Sequence, residues 1–290
     1  MPRGLDHIVH AVRDLEAASE FWRRAGFIVG ARNRHPWGTH NHVVQLPGFF
    51  IEILTVAEPD KLGSDGLSQH FGIPNRDAIA RGDGFAALVL ESRDIAADVA
   101  DFAEAGIGIS EALPFSRGAK LPDGTETTVG FSLAFVRDEL SPQTGFFACQ
   151  QLNPKAFWNP DFQAHPNGVK AVAGAVLVAD HPADHHIFLS AFTGERLLHS
   201  SSLGIEARTP RGSVEIMEPV AFHDQFGVAR KVEGTAAAIS GLRFTVADLA
   251  ATEAALKQGG IAAQRHMEWL VIAPQTAFGA ILIFEGPVKG

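Results

Sequence analysis

Tyrosine is absent from this chain although 21 phenylalanines are present, so no phenol is available as acid, base or ligand. Cysteine is nearly absent. Cys149 stands alone, which excludes an internal disulfide and implies a reducing compartment. Basic charge is in deficit: 24 Lys and Arg against 33 Asp and Glu leave a net charge of −9, and no basic tract offers nucleic acid a face. No apolar run approaches a membrane span. Residues 1–20 carry Arg3, Asp6, Arg13 and Asp14, without the apolar stretch of a signal peptide. A cytoplasmic location is therefore the expectation. A Ser-His-Asp elbow, a phosphate loop and a dinucleotide fingerprint are missing too. What remains is the composition of a soluble globular protein, 46% hydrophobic and 20% charged, with 290 residues and so room for two domains.

A punctuation repeats along this chain. Asp14 is followed twelve residues later by Gly26, Asp94 by Gly106 and Asp248 by Gly260. Asp accepts from the orphan N–H groups of a first helical turn, and Gly supplies the left-handed residue that ends a helix. Between them apolar residues recur at helical spacing: Leu15, Ala18 and Trp22; Ile95, Val99 and Phe102; Leu249, Thr252 and Leu256. A β-like apolar run precedes each Asp. A degenerate copy, Ala173–Asp180, has its glycine late, at Gly194. The chain thus reads as four copies of one βαβββ unit.

Such a unit covers one sheet face with its helix and must pair to use the other. The expected fold is α+β: four βαβββ modules paired into two cup-shaped, mixed β-sheet domains. The first spans residues 1–152 with modules one and two, the second 168–290 with modules three and four, and 153–167 forms a linker rich in Pro, Trp and Asn. Residues 58–83 read as a polar connector and 114–124 as an insertion. Whether module one pairs with two or with four stays open. A small-molecule ligand belongs in the cup.

The unit resembles the vicinal oxygen chelate superfamily, which includes glyoxalase I, extradiol dioxygenases and fosfomycin- and bleomycin-resistance proteins. The chain is most similar to its glyoxalase-like-domain branch. The residues that carry this are Leu5-Asp6-His7-Ile8-Val9 with Asp14-Leu15, His35-Pro36-Trp37-Gly38-Thr39-His40-Asn41 and Gly48-Phe49-Phe50-Ile51-Glu52-Ile53-Leu54. A second stretch holds Arg117, Pro122-Asp123-Gly124, Phe146–Gln151, Trp158 and His165–Gly168. The resemblance is specific over roughly residues 4–170 and topological beyond.

It implies a divalent metal (Zn, Ni, Mn or Fe) held by first- and last-strand ligands, here His7 and Glu52. Asp94 lies 80 residues after Asp14, so the partner of His7 in module two is Ala87; modules three and four offer Ala173 and Gly241. None of these ligates, and the last strand of module two offers Cys149, Gln150 or Gln151. The third protein ligand is thus unidentified, and a metal-free His7 bonded to Glu52 is the alternative. Glu52 is also the candidate catalytic base. Candidate substrate-binding residues are His40, Trp37, Arg117 and Gln151, with Arg117 suited to clamp a carboxylate. For His40 the alternative is a surface pair with His42, for Trp37 core packing, for Arg117 a solvated loop. Cys149 reads as inert, His185-His186 as a solvated face, and Glu215 and Glu285 as polar rim residues. Three functions compete: a metal-assisted lyase or isomerase acting on a small vicinal-oxygen substrate, an extradiol-type dioxygenase, and a metal-free binding or sequestration protein. A homodimer stays open, since this superfamily often joins units across subunits.

Overall fold

A computed structural model describes residues 1–120, 124–232 and 234–287. Module one comprises β1 (Leu5–Ala11), α1 (Leu15–Arg24), β2 (Asn33–Arg34), β3 (Thr39–Leu46) and β4 (Phe49–Val56). A π-helical turn, Ser68–Gly72, runs into α2 (Ile73–Arg81). Module two holds β5 (Gly84–Glu91), α3 (Ile95–Glu104), β6 (Leu113–Lys120), β7 (Glu126–Val136) and β8 (Gly145–Gln151), with α4 (Pro154–Phe157) following. Module three holds β9 (Val169–Val178), α5 (His186–Thr193), β10 (His199–Ser201), β11 (Gly204–Arg208) and β12 (Ser213–Met217), followed by α6 (Pro219–Phe226). Module four holds β13 (Ala238–Val246), α7 (Leu249–Gln258), β14 (Gln264–His266), β15 (Trp269–Ile272) and β16 (Ile281–Glu285).

Three helices start and stop where side-chain chemistry requires. Asp14 accepts from the Ala17 N–H, Asp94 from those of Ala96 and Ala97, and Asp248 from those of Ala250 and Ala251. Gly26, Gly106 and Gly260 follow with φ between 69° and 79°. Helix α5 lacks an Asp cap. It grows out of the 3₁₀ turn Pro182–His185 and ends at left-handed Gly194.

Modules pair in sequence. One sheet runs β2-β3-β4-β1-β5-β8-β7-β6 and the other β10-β11-β12-β9-β13-β16-β15-β14. In each, the two first strands meet antiparallel at the centre, β1 against β5 and β9 against β13. The helix-bearing faces of both sheets share one continuous core, in which Phe27 meets Phe244 at 5.5 Å and Phe102 meets Phe192 at 6.4 Å. Each concave face has a separate apolar cluster.

Three expectations need correction. Residues 58–83 are more than a connector: they carry the π-turn and α2, and bring Phe71 into the first cup. Residues 113–120 form an edge strand paired with β7 rather than an insertion; Pro122 and Asp123 lie outside the described residues. His185 is buried, not solvated. Its Nδ1 is 2.6 Å from Asp138 Oδ2 and its Nε2 3.1 Å from the Thr235 carbonyl, which joins the two domains.

Candidate functional site

The first cup encloses a small, partly open cavity whose walls carry His7, His35, Trp37, Glu52 and Arg117 among apolar side chains, the mix of apolar lining and a few polar groups that suits a small molecule. Strand alternation builds it. On β4, Ile51 and Ile53 enter the shared core, while Phe50 and Glu52 line the cavity. On β3, Asn41 and Val43 line it and His40 and His42 point away. Six phenylalanines, from β4, the π-turn, β6, β7, β8 and α4, make an aromatic wall.

Glu52 is buried and accepts from the Asn41 side-chain amide. Asn41 is itself fixed, because its Oδ1 accepts from Asn33 Nδ2 at 3.0 Å. His35 Nε2 stands 3.9 Å from Glu52 Oε1, too far for a direct hydrogen bond. Its Nδ1 is held 2.8 Å from Thr39 Oγ1, and its ring stacks on Trp37 at 4.7 Å. Burial holds His35 below the usual imidazole range; Glu52 opposes that, and the Arg117 guanidinium and His40 reinforce it. The ring is therefore neutral at pH 7.

Arg117 projects from β6 into the same cavity and has no hydrogen-bond or ion-pair partner among the described residues. Burial lowers its pKa and the Glu52 charge opposes that. The Trp37 indole N–H, also in the cavity wall, is buried and unpartnered among the described residues. Both donors are left for a ligand.

His7 lies on the floor, its ring stacked on Phe50 at 4.2 Å. Its Nδ1 is 2.6 Å from Asp6 Oδ1, so its partner is Asp6 rather than Glu52. Asp6 reaches the cup because β1 bulges there: Leu5 opposes Leu90 and His7 opposes Val89, which leaves Asp6 as the extra residue. Asp6 Oδ2 accepts from Gln151 Nε2 at 3.1 Å. The Cys149 thiol also donates to Asp6; burial first, then the charges of Asp6 and Glu52, keep it protonated.

Of the residues singled out from sequence, His7, Glu52, Trp37 and Arg117 meet in the cavity. Gln151 lies beneath the floor on Asp6. His40 is on the opposite face of β3, where its Nδ1 accepts from Arg32 at 2.7 Å and its Nε2 donates to Glu58 at 2.9 Å. Sequence reasoning missed His35, Asn41 and Asp6. A charged residue inside the apolar run of β1 was the one signal for Asp6.

The cup does not fit the metal site that the resemblance implies. Val9 opposes Glu52 and Val89 opposes Phe147, so Phe147 stands where a second carboxylate would be. Cys149, Gln150 and Gln151 lie further along β8, and Ala87 replaces the second first-strand ligand. Module two contributes no ligand at either position.

No curated protein matches the sequence. Solved structures do match its shape. A hypothetical protein from Staphylococcus aureus superposes with a TM-score of 0.68 at 13% identity, over 98% of this chain and 100% of that one. A mutant of 4-hydroxymandelate synthase from Streptomyces coelicolor gives 0.59 at 14%, over 100% and 94%. The Mn(II)-bound glyoxalase from Novosphingobium aromaticivorans gives 0.56 at 10%, over 100% and 84%. At such identities the likeness establishes the fold alone. The model of the glyoxalase-like domain matches residues 5–193, about two thirds of the chain, and the protein belongs to that family.

Proposed function

We propose that the first cup binds a small oxygen-bearing organic anion with an aromatic or branched apolar body, and that Glu52 moves a proton on it. This is the chemistry of an isomerase or lyase. The observation that carries the reading is Arg117, a cation in an aromatic cavity with no counter-ion in contact among the described residues and the buried Glu52 carboxylate lining the same cavity. A carboxylate or enolate oxygen on the guanidinium supplies the missing partner through a charge-assisted bond. The Trp37 N–H offers a second donor to the same oxygens. Asn41 fixes Glu52 in place, and a substrate oxygen beside the His35–Glu52 pair, whose atoms are 3.9 Å apart, can lie within hydrogen-bond distance of both. A carboxylate so placed can accept the proton from a carbon next to a carbonyl. Arg117, Val43 and Phe157 also border an outer groove that passes Gln45 and Thr127, a route for entry.

The test is α-proton exchange in D₂O, followed by NMR over a panel of 2-oxo and 2-hydroxy acids with aryl or branched-alkyl bodies. Exchange of a bound acid should fall by about 10²- to 10⁴-fold in Glu52→Gln. Binding should weaken about tenfold to a hundredfold in Arg117→Gln, the worth of one charge-assisted bond. Binding without exchange would replace the enzyme with a sequestration protein. An absence of binding across the panel would sink both.

A further inference from the structure

The bulge in β1 gathers, at the floor of the cup, a group to which the proposed proton transfer assigns no role. Donor atoms of Asp6, His7 and Cys149 lie within 4.8 Å of one another, and all three side chains are buried. They come from both modules, two from β1 and one from β8. Gln151, two residues beyond Cys149 on β8, already touches Asp6 through its Nε2, while its Oε1 is buried with no partner among the described residues. A buried acceptor left unmatched is a rare feature that asks for a ligand.

We propose that Asp6, His7 and Cys149, with the Gln151 side-chain oxygen, form a zinc-class cation site, displaced from the position that the fold's metalloenzymes use. Thiolate, imidazole and carboxylate together suit Zn²⁺ or Co²⁺, whereas Mg²⁺ and Ca²⁺ prefer oxygen alone. Charge balances: a dication against the Asp6 carboxylate and the Cys149 thiolate leaves the buried cluster neutral. Binding forms the sulfur–metal bond and breaks the S–H bond, and the thiol proton goes to solvent. His7 moves its own proton to Nε2 and offers Nδ1. The hydrogen bonds that Asp6 now receives give way to the ion. The bulge explains the displacement: it brings in Asp6 as ligand, while Ala87 and Phe147 remove those of the usual position.

A Co²⁺ titration of the whole protein tests this without any substrate. Because the chain has one cysteine, a thiolate-to-cobalt charge-transfer band assigns Cys149 in the wild type, whatever the variants do. The expected result is a saturating band with proton release at a stoichiometry near one, competed away by Zn²⁺. Cys149→Ser should abolish the band, and Asp6→Asn should weaken binding at least about tenfold. Two outcomes overturn the proposal: no ion bound, or an ion bound without the thiolate band. Neither bears on the Arg117 and Glu52 reading, whose test is proton exchange.

Discussion

Gly38 decides where His35 and Trp37 stand, although it has no side chain. It closes the turn with φ +91°, its N–H donates to the His35 carbonyl at 3.1 Å, and its own carbonyl accepts from Ala57 and Glu58, each at 3.0 Å. A Cβ at this position would lie 2.2 Å from the Glu58 carbonyl oxygen, so backbone would have to move. Gly38→Ala therefore combines a left-handed conformation with a backbone clash, a cost of about 1–3 kcal/mol for the strain alone. Denaturant unfolding should show that loss, and acid binding should weaken with it as the His35–Trp37 stack shifts from Glu52. A variant as stable as wild type would remove the turn from the account of the site. Asn41, Arg117 and the Trp37 indole then act from positions that this turn and its neighbouring strands have already set.

The same element is put to different use in the two cups. After β4 the connecting segment sends in Phe71 and leaves a cavity. After β12, α6 sends in Phe222 and Phe226; Phe226 packs on Trp269 and Phe222 on Phe226, within the apolar cluster of that cup. Glu215 and Glu285 there are not rim residues: Arg243 on β13 bridges both, and its guanidinium lies 5.1 Å over Trp269. Burial would lower the Arg243 pKa, but the two carboxylates outweigh it and hold it above the usual range. Removing one partner of a buried ion group strands the others. Arg243→Met should cost about 3–5 kcal/mol, and Arg243→Met combined with Glu215→Gln and Glu285→Gln should recover much of it. Chemical denaturation of both variants tests this; equal losses would mean that packing on Trp269, not charge, is what Arg243 supplies. These elements also show what a sequence can reveal. Asp14, Asp94 and Asp248 cap helices through contacts two or three residues away, and such local chemistry is legible. Arg243 answers carboxylates 28 and 42 residues distant, which no local pattern contains. On β3 the alternation of His40 and His42 was legible but its phase was not, because both sheet faces are buried and burial gives no cue. Asp6 needed a bulge visible only once β5 is in register.

The helix faces of both sheets share a single core and buried polar contacts cross it, so the two domains should unfold together. His10 is the clearest of these. It is fully buried; its Nδ1 accepts from the Trp22 indole at 3.2 Å, so its proton sits on Nε2 and is donated to the Phe278 carbonyl of module four at 2.8 Å. Burial outweighs the carbonyl bond and lowers its pKa to about 4. The sign follows. An unfolded chain with an ordinary histidine takes up the proton near pH 6.5, and the folded chain does so only near 4, so acid favours unfolding between those values. The stability is complete above about pH 6.5 and falls by about 3 kcal/mol as the pH drops to 4. Asp138 adds a second, lower window. Burial would raise its pKa, but the bonds from His185 and Ser141 outweigh that and hold it below the usual carboxylate value, so its contribution is lost only below about pH 3.8. Unfolding by urea at pH 7, 5.5 and 4.5 should give one transition at each pH, with the free energy declining over the upper window. His10→Gln should be less stable at pH 7 and should flatten the decline between 6.5 and 4. A decline unchanged in His10→Gln would assign it to other groups, and two separate transitions would show that the cups fold independently of the contact His10 makes.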